Sequence, residues 1–325
     1  MANRLVACSD SPFPSLEPAM RVLAEVGAEV RLASAPTPEA ILEVAREADG
    51  LLVTYATITG EMMRQLTRCR IIARMGIGVD NLDLRAATEC GIPITNVPDY
   101  CVDEVSDHAL ALLLALARKI PHANRHVQGG AWDLGALGPI HRLRGHTLGL
   151  VGFGKIPQAL APKAQALGLH VIATDPYVPE AAMAAVGVTA VSLDELLRSA
   201  DHISVHAPLT PDTHHLFNAA AFAKVKPGAF LVNTARGPLV DPVALVEALE
   251  GGQLAGAALD VLEQEPPPAG SPLLGRDDLI LTPHLGFYSI EALEDLETRA
   301  AEEVVRRFRG QPPRCLVNRD VVISS

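Results

Sequence analysis

Leu148-Gly149-Leu150-Val151-Gly152-Phe153-Gly154-Lys155-Ile156-Pro157 is the stretch on which the reading of this chain turns. An apolar strand enters Gly152-x-Gly154 and a helical pattern leaves it. In such a turn the first glycine permits the tight bend and the second lets backbone approach a pyrophosphate. The helix N-terminus then offers unbonded N–H groups and the positive end of its dipole to the anion. Glycines punctuate loops everywhere, so the context has to carry the reading. The next strand, His170–Thr174, is followed by Asp175, 23 residues beyond Gly152. A carboxylate there is placed to accept from both hydroxyls of a ribose and to repel a 2′-phosphate, which predicts NAD rather than NADP. Pro157 stands where the dinucleotide fingerprint has Gly or Ala. A first helical turn tolerates it, because its missing N–H would have no intrahelical partner. The amides of Phe153, Gly154, Lys155 and Ile156 stay available, whereas Pro162, deeper in the same helix, predicts a kink.

Outward from this turn, β-branched runs alternate with helical patterns along the whole chain, the sequence form of α/β architecture with parallel sheets. Downstream the strand candidates are 147–152, 170–174, 202–206, 229–233, 256–261 and 279–282; upstream they are 4–8, 29–32, 50–53, 71–74 and 93–96. Helix starts are marked by Thr37-Pro38-Glu39, by Ser192-x-x-Glu195 and by Asp241-Pro242, each a capping residue with a proline or an early acid. A long helix is expected over about 102–119, an irregular loop over 128–144, and a charged final helix over about 287–308. The fold class that follows is two doubly wound parallel-sheet domains with a ligand cleft between them.

Composition narrows the class. The 325 residues exceed one ordinary domain. Apolar residues make up 49% and charged residues 20%, which excludes disorder as the main state. With aromatics at 4%, the core has to be aliphatic. The net charge of −11 argues against nucleic acid or an anionic membrane as partner. The longest strictly apolar run, nine residues from Ala109 to Ala117, is far short of the about 20 a membrane span needs. Arg4 and Asp10 interrupt the N-terminus before any signal-like run develops. Five cysteines without a C-x-x-C suggest a reduced, cytoplasmic setting. His214-His215 has no third ligand at metal spacing, so no metal site is expected.

Three polar residues follow three successive strands of the second half: Arg236, Glu265 and His284. Ends of parallel strands converge on one sheet edge, where the nicotinamide of a bound dinucleotide would lie. Reducing a ketone requires a proton on oxygen, and a histidine beside a carboxylate supplies one near neutrality. A 2-oxo acid also carries a carboxylate, which the planar fork of an arginine binds. Singly, each residue reads equally well as a salt bridge, a solvated acid or a turn cap; their joint placement favours chemistry.

In its glycine turn and these three polar residues the chain resembles the D-isomer-specific 2-hydroxyacid dehydrogenases. The resemblance runs from about Leu51 to Asp320. It rests on Arg74-Met-Gly-Ile-Gly-Val-Asp-Asn81, Asn96-Val-Pro98, Val151-Gly-Phe-Gly154, Val232-Asn-Thr-Ala-Arg-Gly237, Ala258-Leu-Asp-Val261, Glu265-Pro266 and Thr282-Pro-His284. It looks closest to the C-terminal binding protein branch through Asp175-Pro-Tyr177, Thr282-Pro-His-Leu-Gly-Phe-Tyr-Ser289 and Val317-Asn-Arg-Asp320.

The resemblance implies a Rossmann nucleotide-binding domain over 101–290 and a flavodoxin-like substrate domain built from 1–100 and 291–325. It implies His284 as proton donor and acceptor, Glu265 as its partner and Arg236 as substrate orienter. Ile77 and Gly78 would offer amides to a substrate carboxylate with Arg74 nearby, and Tyr55 and Phe287 would shape the pocket. Asp260 would sit by the nicotinamide carboxamide, with His206, Ala207, Thr234 and Ala235 lining the cofactor cleft. Homodimers through the nucleotide domain, with helix 102–119 in the contact, are the implied assembly. Phe287 and Ala56 depart from the branch, which has tryptophan and histidine there, and point to a smaller, more apolar pocket. The expected function is NAD-dependent interconversion of a 2-oxo acid and a D-2-hydroxy acid. The alternative is an NAD(H)-binding adaptor of C-terminal binding protein type; NADP-dependent reduction of glyoxylate or hydroxypyruvate is disfavoured by Asp175.

Overall fold

The computed structural model describes residues 4–322. The chain divides into two compact units. One takes in the chain up to Tyr100 and again from Ser289, and the other is Cys101–Tyr288.

The first unit holds five parallel strands: β1 (Arg4–Cys8), β2 (Ala28–Leu32), β3 (Gly50–Val53), β4 (Ile72–Arg74) and β5 (Ile94–Thr95). Their order, β2-β1-β3-β4-β5, is the flavodoxin-like arrangement. Side chains alternate between the two faces of the sheet. Val6, Cys8, Leu52 and Ala73 therefore turn to one face, against Leu296, Ala300, Val304 and Phe308 of the last helix. Ala7, Leu51, Val53 and Ile72 turn to the other, against Ile41, Ala45, Met62 and Met63. That helix is Ile290–Phe308, and its buried residues recur at the three- and four-residue spacing of one helical face. It starts three residues later than the pattern suggested, because Ser289 caps it by accepting from the Ala292 amide at 2.9 Å.

The second unit holds β6 (Thr147–Val151), β7 (His170–Thr174), β8 (Thr189–Ala190), β9 (His202–Val205), β10 (Ala229–Asn233), β11 (Leu254–Leu259) and β12 (Leu279–Leu281). All seven are parallel in the order β12-β11-β10-β9-β6-β7-β8, a Rossmann arrangement extended by one strand. The expected class, two doubly wound parallel-sheet units, is what the chain forms. Leu148, Leu150, Val232 and Ala258 face Leu112, Leu113, Leu160 and Ala164. Val151, Ile203, Val205 and Leu231 face Leu196, Leu245 and Ala248 on the opposite side. Gly149 lies inside β6 because a Cβ there would stand 2.7 Å from Leu196, whose helix crosses that point.

The capping residues act as expected. Thr37 accepts from Ala40, Ser192 from Glu195, and Asp241 from Val243 and Ala244. Two readings need correction. The long helix stops at Ala117, and Lys119, left-handed at φ 50°, hands over to a separate helix, Ile120–Gln128. A non-glycine residue in that conformation leaves no sequence mark. The two-residue β8 carried too short a pattern to be read. Pro162 lies inside a helix that continues from Lys155 to Ala166. Among the described residues, no helix is long and apolar enough to cross a membrane.

Candidate active site

All seven strands of the second unit run the same way, so the residues that follow them gather along one sheet edge. The strand order reverses at β6, which has β9 on one side and β7 on the other. The crevice beyond the carboxyl ends at such a point is where doubly wound sheets take ligands. Gly152 follows β6 with φ 92°, and a Cβ on it would stand 2.8 Å from His206 C and Ala207 N. Only glycine lets the ends of β6 and β9 approach so closely. Gly154 caps the next helix without a side-chain hydrogen bond, and a Cβ on it would meet nothing within 4 Å. A helix N-terminus with no side-chain cap, under open space, fits the pyrophosphate of a dinucleotide. Pro157 is buried in that first turn, where its lost N–H costs nothing.

Asp175 is more heavily engaged than its sequence position suggested. Its Oδ2 accepts from the Phe153 amide at 2.7 Å, and its Oδ1 from the amides of Tyr177 and Val178 at 2.8 and 3.1 Å. A carboxylate has about four acceptor sites. Three are used, one fastening the glycine turn to the end of β7 through the Phe153 amide and two closing the turn after Asp175 itself, which leaves one, on Oδ2. His206 pairs its Nε2 with Ser204 Oγ at 2.8 Å, and burial pushes its pKa down to about 4, which keeps it neutral near pH 7. Thr234 Oγ1 is buried without a protein hydrogen-bond partner, an orphaned polar atom of the kind a bound cofactor satisfies. The Ala235 amide donates to Asn233 Oδ1 at 3.0 Å.

Arg236, Glu265 and His284 lie on three neighbouring loops of this edge. The Asn233 side chain donates to the Arg236 carbonyl at 2.8 Å, and Arg236 Nη1 donates to Ala235 O at 2.7 Å, which folds the loop after β10. Gly237 lies against the loop after β11 so tightly that a Cβ would fall 1.9 Å from Leu262 C and 2.3 Å from Glu263 N. Glu265 Oε1 accepts the Leu262 amide at 2.8 Å, and Oε2 faces His284 Nδ1 at 2.8 Å. His284 holds φ 52°, a conformation a non-glycine residue keeps only where its surroundings impose it. Its amide is bonded to Asp260 O at 2.8 Å and Thr282 O at 3.0 Å. Phe287 packs edge-on against the His284 ring, with centroids 6.2 Å apart.

Asp260 serves this loop directly. Its carboxylate, 2% exposed, accepts from Thr282 Oγ1 at 2.6 Å, Leu285 N at 3.0 Å and Gly286 N at 2.8 Å. His108 Nε2 stands 3.3 Å from the same carboxylate and 3.2 Å from Thr282 Oγ1. Burial pushes the Asp260 pKa up, but the hydrogen bonds from His108, Thr282 and the two amides outweigh it, and the net shift is downward. Nothing in the sequence around His108 marks this contact; only the fold brings the helix Val102–Ala117 to Asp260.

Of the residues expected on the substrate side, Phe287 belongs to the second unit and Tyr55, Arg74, Ile77 and Gly78 to the first. Tyr55 follows β3, 42% exposed, and its amide donates to Asp10 Oδ2 at 2.6 Å. Asp10, to which the sequence assigned no site role, also accepts from the Thr54 amide at 3.1 Å. Arg74 ends β4 and is nearly buried. Its guanidinium lies over Gly76, where a Cβ would fall 1.1 Å from Nη1. Asn96 Nδ2 donates to Ile77 O at 2.6 Å, and Asn81 Nδ2 bonds Thr54 O and Ala56 O at 3.2 and 2.9 Å. The turn through Ile77 and Gly78 is thereby held beside the one that carries Tyr55.

Residues 110–286 match the family described as D-isomer specific 2-hydroxyacid dehydrogenase, NAD binding domain. A glyoxylate reductase of Thermococcus litoralis is 39% identical over 299 residues, covering 90% of each chain. The chain belongs to this family. A D-3-phosphoglycerate dehydrogenase of Methanocaldococcus jannaschii is 41% identical over 307 residues, 94% of this chain and 58% of that protein. The chain thus spans little more than half the length of that relative. A D-lactate dehydrogenase of Aquifex aeolicus, solved with NAD and lactic acid, superposes with a TM-score of 0.85 at 27% identity, covering 94% and 96% of the two chains. NAD is the cofactor of the matched domain, and the bend at Gly152, the open helix start at Gly154 and the buried Thr234 hydroxyl fit it.

Proposed function

We propose that this chain is an NAD-dependent dehydrogenase that interconverts a small 2-oxo acid and its D-2-hydroxy acid. The observation that carries the reading is the 2.8 Å contact between His284 Nδ1 and Glu265 Oε2 at the carboxyl edge of a dinucleotide-type sheet. Bound NADH supplies the hydride; the chain supplies position and the proton. With Nδ1–H given to Glu265, the ring orientation is set and Nε2 faces away from the carboxylate, so it is Nε2–H that protonates the carbonyl oxygen on reduction. In oxidation the same nitrogen takes the hydroxyl proton. Arg236 binds the substrate carboxylate through its planar fork and polarises the adjacent carbonyl. The family resemblance adds Arg74 and the amides of Ile77 and Gly78 as binders of the substrate carboxylate, and Tyr55 and Phe287 as residues that select the side chain. Asp175 places negative charge where a 2′-phosphate would lie, which favours NAD over NADP.

The dehydrogenase names of the relatives support this reading over a regulatory adaptor. For the assembly, the proposal is a homodimer formed through the second unit, whose segment after Lys119 exposes Ile120, Trp132 and Leu134. A reduced, cytoplasmic compartment is proposed on the odd cysteine count and the lack of a C-x-x-C in the sequence.

The test is NADH oxidation against glyoxylate, hydroxypyruvate, pyruvate and phosphohydroxypyruvate, repeated with NADPH. Turnover of at least one 2-oxo acid, faster with NADH, is expected. Tight NADH binding with no turnover of any of them overturns the proposal.

A further inference from the structure

We propose that His214, His215 and Glu263 form a binding site for one divalent transition-metal ion, zinc above all. The two histidines lie in the loop after β9 and Glu263 in the loop after β11, so the site exists only in the folded chain. No third ligand stands at metal spacing beside the histidine pair in the sequence; the fold brings one from 48 residues away.

The geometry is that of converging ligands. One donor atom from each residue lies within 4.8 Å of the other two. Glu263 Oε1 is 2.9 Å from His215 Nε2 and 4.0 Å from His214 Nε2. Around a tetrahedral zinc with bonds of about 2.0–2.1 Å, ligand atoms stand roughly 3.3–3.4 Å apart. Coordination requires the three side chains to turn, the stacked rings tilting apart so that both Nε2 lone pairs meet at the ion. The two imidazoles stack, with ring centroids 4.0 Å apart and planes 29° from parallel, and each has its Nε2 within 4.0 Å of Glu263 Oε1.

The backbone that presents them is held firmly. His215 sits at φ 50°, a costly conformation for a β-substituted residue, and its surroundings enforce it. Its amide donates to Pro238 O at 2.8 Å, and its carbonyl accepts from Asn218 Nδ2 at 3.1 Å. Thr213 Oγ1 donates to Pro208 O at 2.7 Å and closes the turn ahead of the pair. On the other side, the Glu263 backbone rests against Gly237. An ion at this point would join two loops that the fold has already brought together.

Two imidazole nitrogens and one carboxylate oxygen select zinc, nickel or copper over magnesium and calcium, which require shells of oxygen. The side chains are 52%, 31% and 39% exposed for His214, His215 and Glu263, so water has access to complete the coordination sphere. The net charge of −11 favours cations at the surface generally.

The experiment is calorimetric titration of the full-length chain with zinc chloride, with magnesium chloride as the control. It is run on the wild type, His214→Ala and Glu263→Gln, all keeping the five cysteines. The expected result is one tight zinc equivalent in the wild type, weakened at least tenfold in both variants, and no such equivalent for magnesium. Thermal unfolding should show a zinc-dependent rise in Tm in the wild type that both variants lose. An unchanged tight equivalent in the two variants would place the ion elsewhere and overturn the proposal. So would a wild type that binds zinc no more tightly than they do.

Discussion

His284 Nδ1 and Glu265 Oε2 stand 2.8 Å apart although 19 residues separate them in the chain. Glu265 is itself fixed by the Leu262 amide, and His284 by the carbonyls of Asp260 and Thr282. The imidazole is therefore held from both ends before any substrate arrives. His284→Ala should lower kcat for 2-oxo acid reduction by about 10²–10⁴-fold, the usual contribution of a positioned acid. NADH affinity, measured by fluorescence titration, should stay within about threefold of wild type. Glu265→Gln keeps the size of the side chain but removes the charge, and should lower kcat by on the order of tenfold or more. Undiminished turnover in His284→Ala would remove it from the proton path.

The two glycines of the cofactor turn separate folding from binding. At Gly152 a Cβ would meet the backbone of His206 and Ala207 at 2.8 Å and φ is 92°, so Gly152→Ala should damage folding and binding together. At Gly154 φ is −73° and the space is open, so an alanine is tolerated by the chain alone. Gly154→Ala should keep the wild-type Tm and bind NADH at least about tenfold more weakly, because the methyl occupies the space where backbone meets pyrophosphate. Unaltered NADH affinity in a folded Gly154→Ala protein would place the pyrophosphate elsewhere.

The parts legible in the sequence are those whose cause is local. Gly50–Val53 is a continuous apolar run buried on both faces, and the strand has those bounds. Ser192, Asp241 and Thr37 cap helices because the donors they satisfy lie two or three residues on. Arg236, Glu265 and His284 were legible because each follows a strand, and parallel strands end at a common edge. The supports of that edge were not. His108 reaches Asp260 across 152 residues, and nothing near either residue marks the pairing. Asp260 itself suggested a cofactor contact, yet its two oxygens hold Thr282, Leu285 and Gly286. Glu263 meets the His214-His215 pair only through the close approach at Gly237.

Asp260 should therefore act as a positioning residue. Replacing it with asparagine puts an N–H group among donors, where only acceptors are satisfied, at a cost of about 1.5–3 kcal/mol for hydrogen bonds to a charged group. Urea denaturation should show that loss at neutral pH, and kcat should fall with it as the His284 loop loosens. The folded pKa of Asp260 lies below its ordinary value. Its stabilisation is thus complete above the unfolded value of about 3.9 and is lost as pH falls through the folded one. The gap between wild type and Asp260→Asn should narrow in strong acid. A constant gap from pH 7 to pH 3 would mean that the carboxylate charge is not what holds the loop.

Mildly acidic pH tests a different buried group. His202 on β9 is 2% exposed, stacks on Phe230 with centroids 5.7 Å apart, and meets His146 Nδ1 with its Nε2 at 3.2 Å. Burial, reinforced by His146, pushes its pKa down to about 4. The unfolded chain binds a proton at this side chain near pH 6.5, whereas the folded chain does not until near pH 4. The folded state therefore loses stability as pH drops through that window, by up to about 1.4 kcal/mol per pH unit for this one proton. His206, displaced to the same value by burial, adds a slope of the same sign. Urea unfolding at pH 7, 6 and 5 should give a steadily falling free energy. His202→Gln, which keeps a polar tip towards His146 but does not titrate, should fall less steeply, by about 1 kcal/mol per pH unit. Parallel slopes in the two proteins would mean that His202 is protonated in the folded chain, contrary to its buried, stacked position.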